Sequence, residues 1–368
     1  MTEQPVLPQY SGANVRGIIP ALLAPKGVPL PSWMPEIAAA TQTVVLVIDG
    51  LGWEQLQDRI ALAPTLASMT GRSITTVAPS TTATALTSIT TGLTPAEHGL
   101  IGYRFDIGGD VMNVLRWHGD RGDVRRSHPP RDMQPFTPFL GESPPVISKA
   151  ELEGSGFTEA HLRGSRFAGW RTTSAIGVEV GRQLAAGERF VYAYYDGIDK
   201  TAHERGFGDY YDAELVNADR LVADILSRMP ADATLVVTAD HGQVSVGNNT
   251  VRPSADLLAH VRKQSGEGRF RWFHAKPGAQ ADLAAACRDA HAGQAWVVTR
   301  DQVIDEGWFG PVMAAPIASR LGDVALVARG PVTFFDPADS GPFELICRHG
   351  SLTSAEMLVP LLASAGRR

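Results

Sequence analysis

Along the chain, short unbroken apolar runs alternate with longer stretches in which apolar residues return every three or four positions. Residues 43–48, 190–195 and 234–239 are runs of the first kind, and each is closed at once by Asp or by Asp and Gly. Such runs predict parallel strands buried on both faces. Weaker strand signals lie at 72–79, 269–274, 295–299 and 323–328. Helical spacing is clearest over 212–229, where Leu215, Ala218, Leu221, Val222 and Ile225 share a face. Further helices are predicted over 63–70, 170–184, 279–290 and 301–306, over 83–91 with Gly92 as its stop, and as an amphipathic close over 354–363.

Alternating strands and helices predict an α/β fold, with a mostly parallel central sheet flanked by helices. Residues 1–40 are proline-rich and weakly patterned, and read as an N-terminal surface segment. Residues 41–249 and 336–368 read as the core, and 250–335, with its own strands and helices, as an inserted α+β subdomain. Within the core, 104–165 is rich in Arg, Pro and Gly and reads as a cap-like loop region.

Composition narrows the function. A formal charge of −6 over 368 residues gives no electrostatic case for a nucleic-acid polymer or an anionic membrane as partner. An anionic substrate would need local positive charge, such as a bound metal. No apolar run approaches the roughly 18 residues of a membrane span. The two cysteines, Cys287 and Cys347, form no metal-binding pair and read as small buried hydrophobes. With no basic-then-apolar leader at the N-terminus, the expected location is the cytoplasm.

Candidate chemistry gathers where the strands are predicted to end. Asp49, Asp199 with His203, Asp240 with His241, and His349 follow apolar runs directly or within a short turn. Ligands collect beyond the carboxyl ends of strands in open α/β sheets, so these side chains are expected to converge on one rim. Three carboxylates and three imidazoles suit a pair of divalent ions, most naturally zinc. The remaining histidines, 98, 118, 128, 161, 260, 274 and 291, have no such setting and read as structural.

The hydroxyl-rich stretch 78–92, APSTTATALTSITTG, supplies a nucleophile for those ions. A hydroxyl at a strand-to-helix junction is exposed, and the helix N-terminus favours a phosphoryl anion beside it. Metal, nucleophile and anion site together describe phosphoryl transfer. Ser80, Thr81, Thr82 and Thr84 are all contenders on these grounds.

In these motifs the sequence resembles the alkaline phosphatase superfamily, and within it the nucleotide pyrophosphatase/phosphodiesterase branch. Pro79 leads Thr82 by three positions, Thr91 and Gly92 follow, and residues 93–99 resemble the continuation G-L-x-P-x-x-H-G when counted from Gly92. The resemblance spans roughly 43–103, 190–243 and 344–364. It implies an alkaline phosphatase-like fold and Thr82 as nucleophile. By the same resemblance Asp49, Asp240, His241 and Thr82 hold one metal, and Asp199, His203 and His349 the second. The implied function is cleavage of phosphodiester or pyrophosphate bonds in a small phosphorylated substrate, through a phospho-threonine intermediate.

Two departures bear on substrate. Where the family has an aromatic residue and then Pro-Asn after the nucleophile, this chain has Ala83, Thr84 and Ala85. Where it has a phosphoryl-binding Asn, this chain has Tyr103, whose hydroxyl offers the same hydrogen bond. Arg104 and Arg116 read as surface-loop arginines, with a contact to a doubly charged monoester as the rival reading. The alternatives are therefore a phosphomonoesterase, a phosphonoacetate-type hydrolase, or a metal-retaining protein that binds without catalysis. Oligomeric state is left open.

Overall fold

The computed structural model describes residues 4–25, 27–35, 40–339 and 344–368. Its centre is a seven-stranded sheet in the order Thr70–Thr75, Leu358–Ala365, Ala233–Thr238, Gln42–Ile48, Phe190–Tyr195, Pro145–Lys149 and Arg166–Trp170. Six strands run in one direction and only Leu358–Ala365 opposes its neighbours. Val44 to Ile48 and Leu235 to Val237 are fully buried, as unbroken apolar runs between two helical layers must be.

One layer contains the helices Ser174–Ala185 and Asp209–Arg228, packed on each other. The other contains Thr82–Thr91, all ten residues of which are buried. Burial of so polar a sequence is eased where hydroxyls bond back to carbonyls of the same helix. Thr87 Oγ1 donates to Ala83 O at 2.7 Å, Thr90 to Leu86 O at 3.0 Å and Thr91 to Thr87 O at 2.6 Å. Gly92 ends the helix at φ 75°, and a Cβ there would stand 2.5 Å from Pro20 Cγ.

Several expectations are corrected. The N-terminal segment does more than wrap the surface: Asn14, Val15, Ile18 and Ile19 are fully buried, and the Asn14 amide donates to Thr76 O at 2.9 Å. Trp170 ends a strand, and the helix expected from that position begins only at Ser174. The stretch 104–165 is not wholly irregular. It carries a small antiparallel sheet over 104–123 and sends Pro145–Lys149 into the main sheet. The closing helix stops at Met357, and Leu358–Ala365 is a strand. Pro360 is the reason, since it removes an N–H and clashes with the preceding turn inside a helix. In the sheet it sits opposite Ser73, beyond the ladder that Leu361–Ala365 shares with Ala233–Thr238, where the missing donor costs little.

Residues 261–328 build a separate four-stranded antiparallel sheet, in the order Val261–Glu267, Phe270–Ala275, Val324–Ala328, Ala295–Thr299. Phe270, Trp272 and Val327 pack into the main core, while Phe273, Leu326 and Ala328 form a second core beneath the helix Gln280–His291. Arg269 fixes this sheet to the body. It reaches Glu356 through two bonds of 2.7 Å, with both side chains fully buried. Glu356 also accepts from Ser351 N at 3.0 Å, and its carbonyl accepts from Gly242 N at 2.9 Å. One buried ion pair thus ties the inserted sheet to the loops that carry His241 and His349.

Candidate metal centre and active site

Three neighbouring parallel strands deliver three carboxylates to one rim. Asp49 directly follows Gln42–Ile48, and Asp240 lies two positions past Ala233–Thr238. Asp199 sits in the helix Gly197–Arg205 that follows Phe190–Tyr195. The turn after Asp49 needs glycine. Gly50 has φ 73°, and a Cβ there would stand 2.6 Å from Gln243 Nε2 and 2.9 Å from Asp199 Cβ.

Asp49, Asp240 and His241 form a buried group whose ligand atoms lie within 4.8 Å of one another. His241 Nε2 is 3.4 Å from Asp49 Oδ1 and 3.5 Å from Asp240 Oδ2. Its Nδ1 lies 3.0 Å from Gly242 O, an atom that can only accept, so Nδ1 carries a proton and Nε2 is the nitrogen turned to the carboxylates. Asp240 Oδ1 accepts from Gly50 N at 3.1 Å and from His241 N at 3.0 Å, and Asp49 Oδ2 accepts from the Tyr194 hydroxyl. Asp49 Oδ1 and Asp240 Oδ2 have no hydrogen-bond partner. Buried carboxylate oxygens left this way are costly, and a cation is the partner that chemistry supplies. Burial, with repulsion from Asp240 and Asp199, raises Asp49 well above the usual carboxylate range. Burial also raises Asp240, against the pull of His241.

The second group is half-buried. Asp199 Oδ1 lies 3.2 Å from His203 Nε2 and 3.9 Å from His349 Nε2, and accepts from Gln243 Nε2 at 2.8 Å. His203 Nδ1 donates to Cys347 O at 2.7 Å and His349 Nδ1 to Ser80 O at 2.9 Å, so both again present Nε2. Ligand spacing unites Asp199 and His349 with His241, whose ring stacks on that of His349 at 3.6 Å. His241 therefore stands between the two groups, and His203 meets the second through Asp199. Burial would raise Asp199, but His203, His349 and His241 together hold it below its usual range. Burial, reinforced by His241, pushes His349 well down. Burial also opposes charge on His203, yet Asp199 prevails and raises it.

Thr82 opens its helix, with Thr81 as the N-cap, and its Oγ1 is 3.1 Å from His241 Nε2. The rival hydroxyls are turned elsewhere. Ser80 Oγ donates to Ser351 O at 2.6 Å, Thr84 is fully buried, and Thr81 hydrogen-bonds Glu267. Tyr103 is half-buried. Its hydroxyl accepts from Asn113 Nδ2 at 2.6 Å, and burial raises its phenol. Arg104 is no surface-loop arginine, because it is buried in an ion pair of 2.8 Å with Asp336, which Arg271 shares at 3.2 Å. Arg116 is exposed, as expected.

Sequence reasoning missed the supports. Gln243, next to the Asp240–Gly242 turn, was the most accessible of them. Tyr194 carried no polar signal inside its strand. His161 was set aside as structural, yet it lines a cavity of about 230 Å³ that opens on Asp49, Thr82 and Asp199. His98 does prove structural: it is fully buried, with Nε2 2.9 Å from Ser88 Oγ.

Comparison with known proteins follows the same outline. The family described as type I phosphodiesterase / nucleotide pyrophosphatase matches residues 43–179 and 159–351. No curated protein matches the chain. Murine ectonucleotide pyrophosphatase/phosphodiesterase 5 superposes with a TM-score of 0.65 at 15% identity, over 88% of this chain and 87% of that one. The same murine protein, inactive and in complex with AMP, gives 0.66 at 14% identity over the same 88% and 87%. Phosphonoacetate hydrolase from Sinorhizobium meliloti, in complex with phosphonoformate, gives 0.63 at 16% identity over 90% of each chain. At these identities the likeness is one of fold, an alkaline phosphatase-like α/β architecture.

Proposed function

The chain belongs to the type I phosphodiesterase/nucleotide pyrophosphatase family of hydrolases, and on that premise we propose that it cleaves phosphodiester or pyrophosphate bonds through a covalent intermediate on Thr82. The observation that carries this reading is the 3.1 Å approach of Thr82 Oγ1 to His241 Nε2, the ring that stands between both acidic groups. Asp49, Asp240, His241 and Thr82 would hold one divalent ion, and Asp199, His203 and His349 the other. Zinc is the natural choice for such a mixed nitrogen and oxygen donor set. The orphaned oxygens of Asp49 and Asp240 fit that assignment. Such ions, when bound, supply Lewis acidity to the hydroxyl and to the phosphoryl oxygens.

The chain's own residues do the rest. Thr82 Oγ1 bonds to phosphorus as the ester P–O bond breaks, its proton passes to solvent water, and the departing oxygen takes one proton from solvent, so no net proton is gained or lost. Water then cleaves the bond to Thr82 and returns its proton. At the start of that helix Thr84 N already donates to Thr81 O at 3.1 Å, so the N–H groups of Thr82 and Ala83 are the ones that would be offered to phosphoryl oxygens. Nδ1 bonds to Gly242, Cys347 and Ser80 carbonyls hold the three imidazoles in one tautomer throughout.

The test is a panel of a bis-aryl phosphodiester, an aryl phosphomonoester and phosphonoacetate, with zinc and then with chelator. Thr82→Ala is expected to lower diester turnover by about 10³-fold or more while the fold persists. Undiminished turnover in that variant would reject the nucleophile. Turnover indifferent to chelator would reject the ions, and no turnover at all would favour a binding protein. The cytoplasm remains our proposed location, supported by two buried free thiols, and cell fractionation checks it. Among the described residues no helix is long and apolar enough to cross a membrane.

A further inference from the structure

The cavity beside Thr82, about 230 Å³, has a chemistry of its own. Asp49, Thr82 and Asp199 close one end, and Leu86, Leu152, Phe157 and Leu162 supply much of the wall. Its volume exceeds the roughly 150 Å³ of a dry Leu/Ile/Phe-lined cavity that takes up benzene. One aromatic ring fits, with room for a substituent. Phe157 and His161 stack at 4.0 Å and 19°, giving a flat face. That face is uncharged near neutral pH, because burial lowers His161 to about 4 and its Nδ1 already donates to Phe157 O at 2.7 Å.

The lysines at the cavity offer nothing to a second phosphoryl group. Lys149 and Lys200 both pair with Asp196 Oδ2, at 3.1 and 3.0 Å, and Lys149 also lies 3.4 Å from Glu151. Two ammonium groups thus meet two carboxylates, and no positive charge is left over. The cavity does have one open polar group besides the site's own carboxylate. Among the described lining residues, Asp49 Oδ1 and the Tyr192 hydroxyl are the buried side-chain atoms without a hydrogen-bond partner. Tyr192 is 1% exposed and lies on the same strand face as Tyr194, roughly 6.5 Å further from the rim.

We propose that this cavity seats one ester substituent of the substrate, and that the substrate is a phosphodiester with a single phosphoryl group. That substituent is an aryl or similarly compact apolar group, carrying one hydrogen-bonding atom that meets Tyr192. A pyrophosphate joining two polar nucleosides suits the lining poorly on both counts, apolar wall and balanced lysines. The proposal rests on the phosphoryl-transfer reading given above.

Two measurements test it. Bis(p-nitrophenyl) phosphate and p-nitrophenyl methyl phosphate share a leaving group, and the first is expected to show a kcat/KM about tenfold or more above the second and above a dinucleoside pyrophosphate. Binding is read separately in the Thr82→Ala background, using the naphthyl fluorescence of methyl naphthylmethylphosphonate. Adding Leu162→Trp, which fills the cavity, is expected to weaken that probe about tenfold or more. Leu152→Trp, at a half-buried position that spares the interior, should do the same if the first variant folds poorly. Tyr192→Phe should weaken a hydroxynaphthyl analogue and leave the plain probe unchanged. Diesters hydrolysed with aryl and methyl alike, and a probe indifferent to both tryptophans, would overturn the pocket while leaving the chemistry intact. A probe that obeys the cavity variants in a protein without phosphodiesterase activity would keep the pocket and reject the chemistry.

Discussion

Asp49 and Asp199 stand at the ends of neighbouring strands, yet their surroundings push them in opposite directions. Asp49 shares a fully buried space with Asp240, and its Oδ1 lacks a donor. Asp199 is half-buried, surrounded by three imidazoles and held by Gln243. The first group carries more negative charge than its protein partners answer, while the second comes close to balance. A divalent ion would therefore satisfy the first group and merely displace existing partners in the second. The lesson is that one donor count does not make two equal sites.

The sharpest way to break the comparison is to remove one member of each group. Asp49→Ala should abolish metal-dependent diester turnover, by about 10³-fold or more, because it takes away a ligand that nothing else on the rim replaces. His203→Ala should cost less, about 10–100-fold, since His203 meets the second group through Asp199. Steady-state kcat at fixed zinc reads both, and equal losses would erase the distinction.

A smaller effect has opposite signs in the two groups. In metal-free protein, the raised Asp49 contributes stability below the ordinary carboxylate range, and that contribution is lost as pH rises through its raised value. The depressed Asp199 contributes stability above the ordinary range, lost as pH falls through its depressed value. At pH 7 with chelator, Asp49→Asn should therefore raise Tm and Asp199→Asn should lower it, each by a few °C, at about 2–4 °C per kcal/mol in a large domain. Zinc should remove the benefit of Asp49→Asn. Shifts of the same sign would show that the two carboxylates are not set apart by their surroundings.

Much of this rim was legible because burial and chemistry left separate marks. An apolar run of five or six residues ending in Asp identifies both a strand and the point where it surfaces, so the strand-end acids and the parallel sheet emerge together. The supports were hidden because their contacts are not periodic. Tyr194 looks like core until its hydroxyl reaches Asp49, and the carbonyls of Ser80 and Cys347 have no side-chain signature. Pro360 was legible but outweighed by the apolar spacing around it, and the predicted closing helix gave way to a strand. Much of the cavity wall comes from residues 115 and 148–162, whose sequence reads as loop. The partner of Tyr103 was equally hidden: its hydroxyl accepts from Asn113, ten residues on, and keeps its own proton free to donate.

The account stands most directly on metal content per chain, measured after zinc loading and gel filtration in wild type and Asp49→Ala. It predicts about two ions in the first and about one in the second, retained by the group around Asp199. A wild-type protein that keeps no ion, or an Asp49→Ala variant that keeps both, would contradict it.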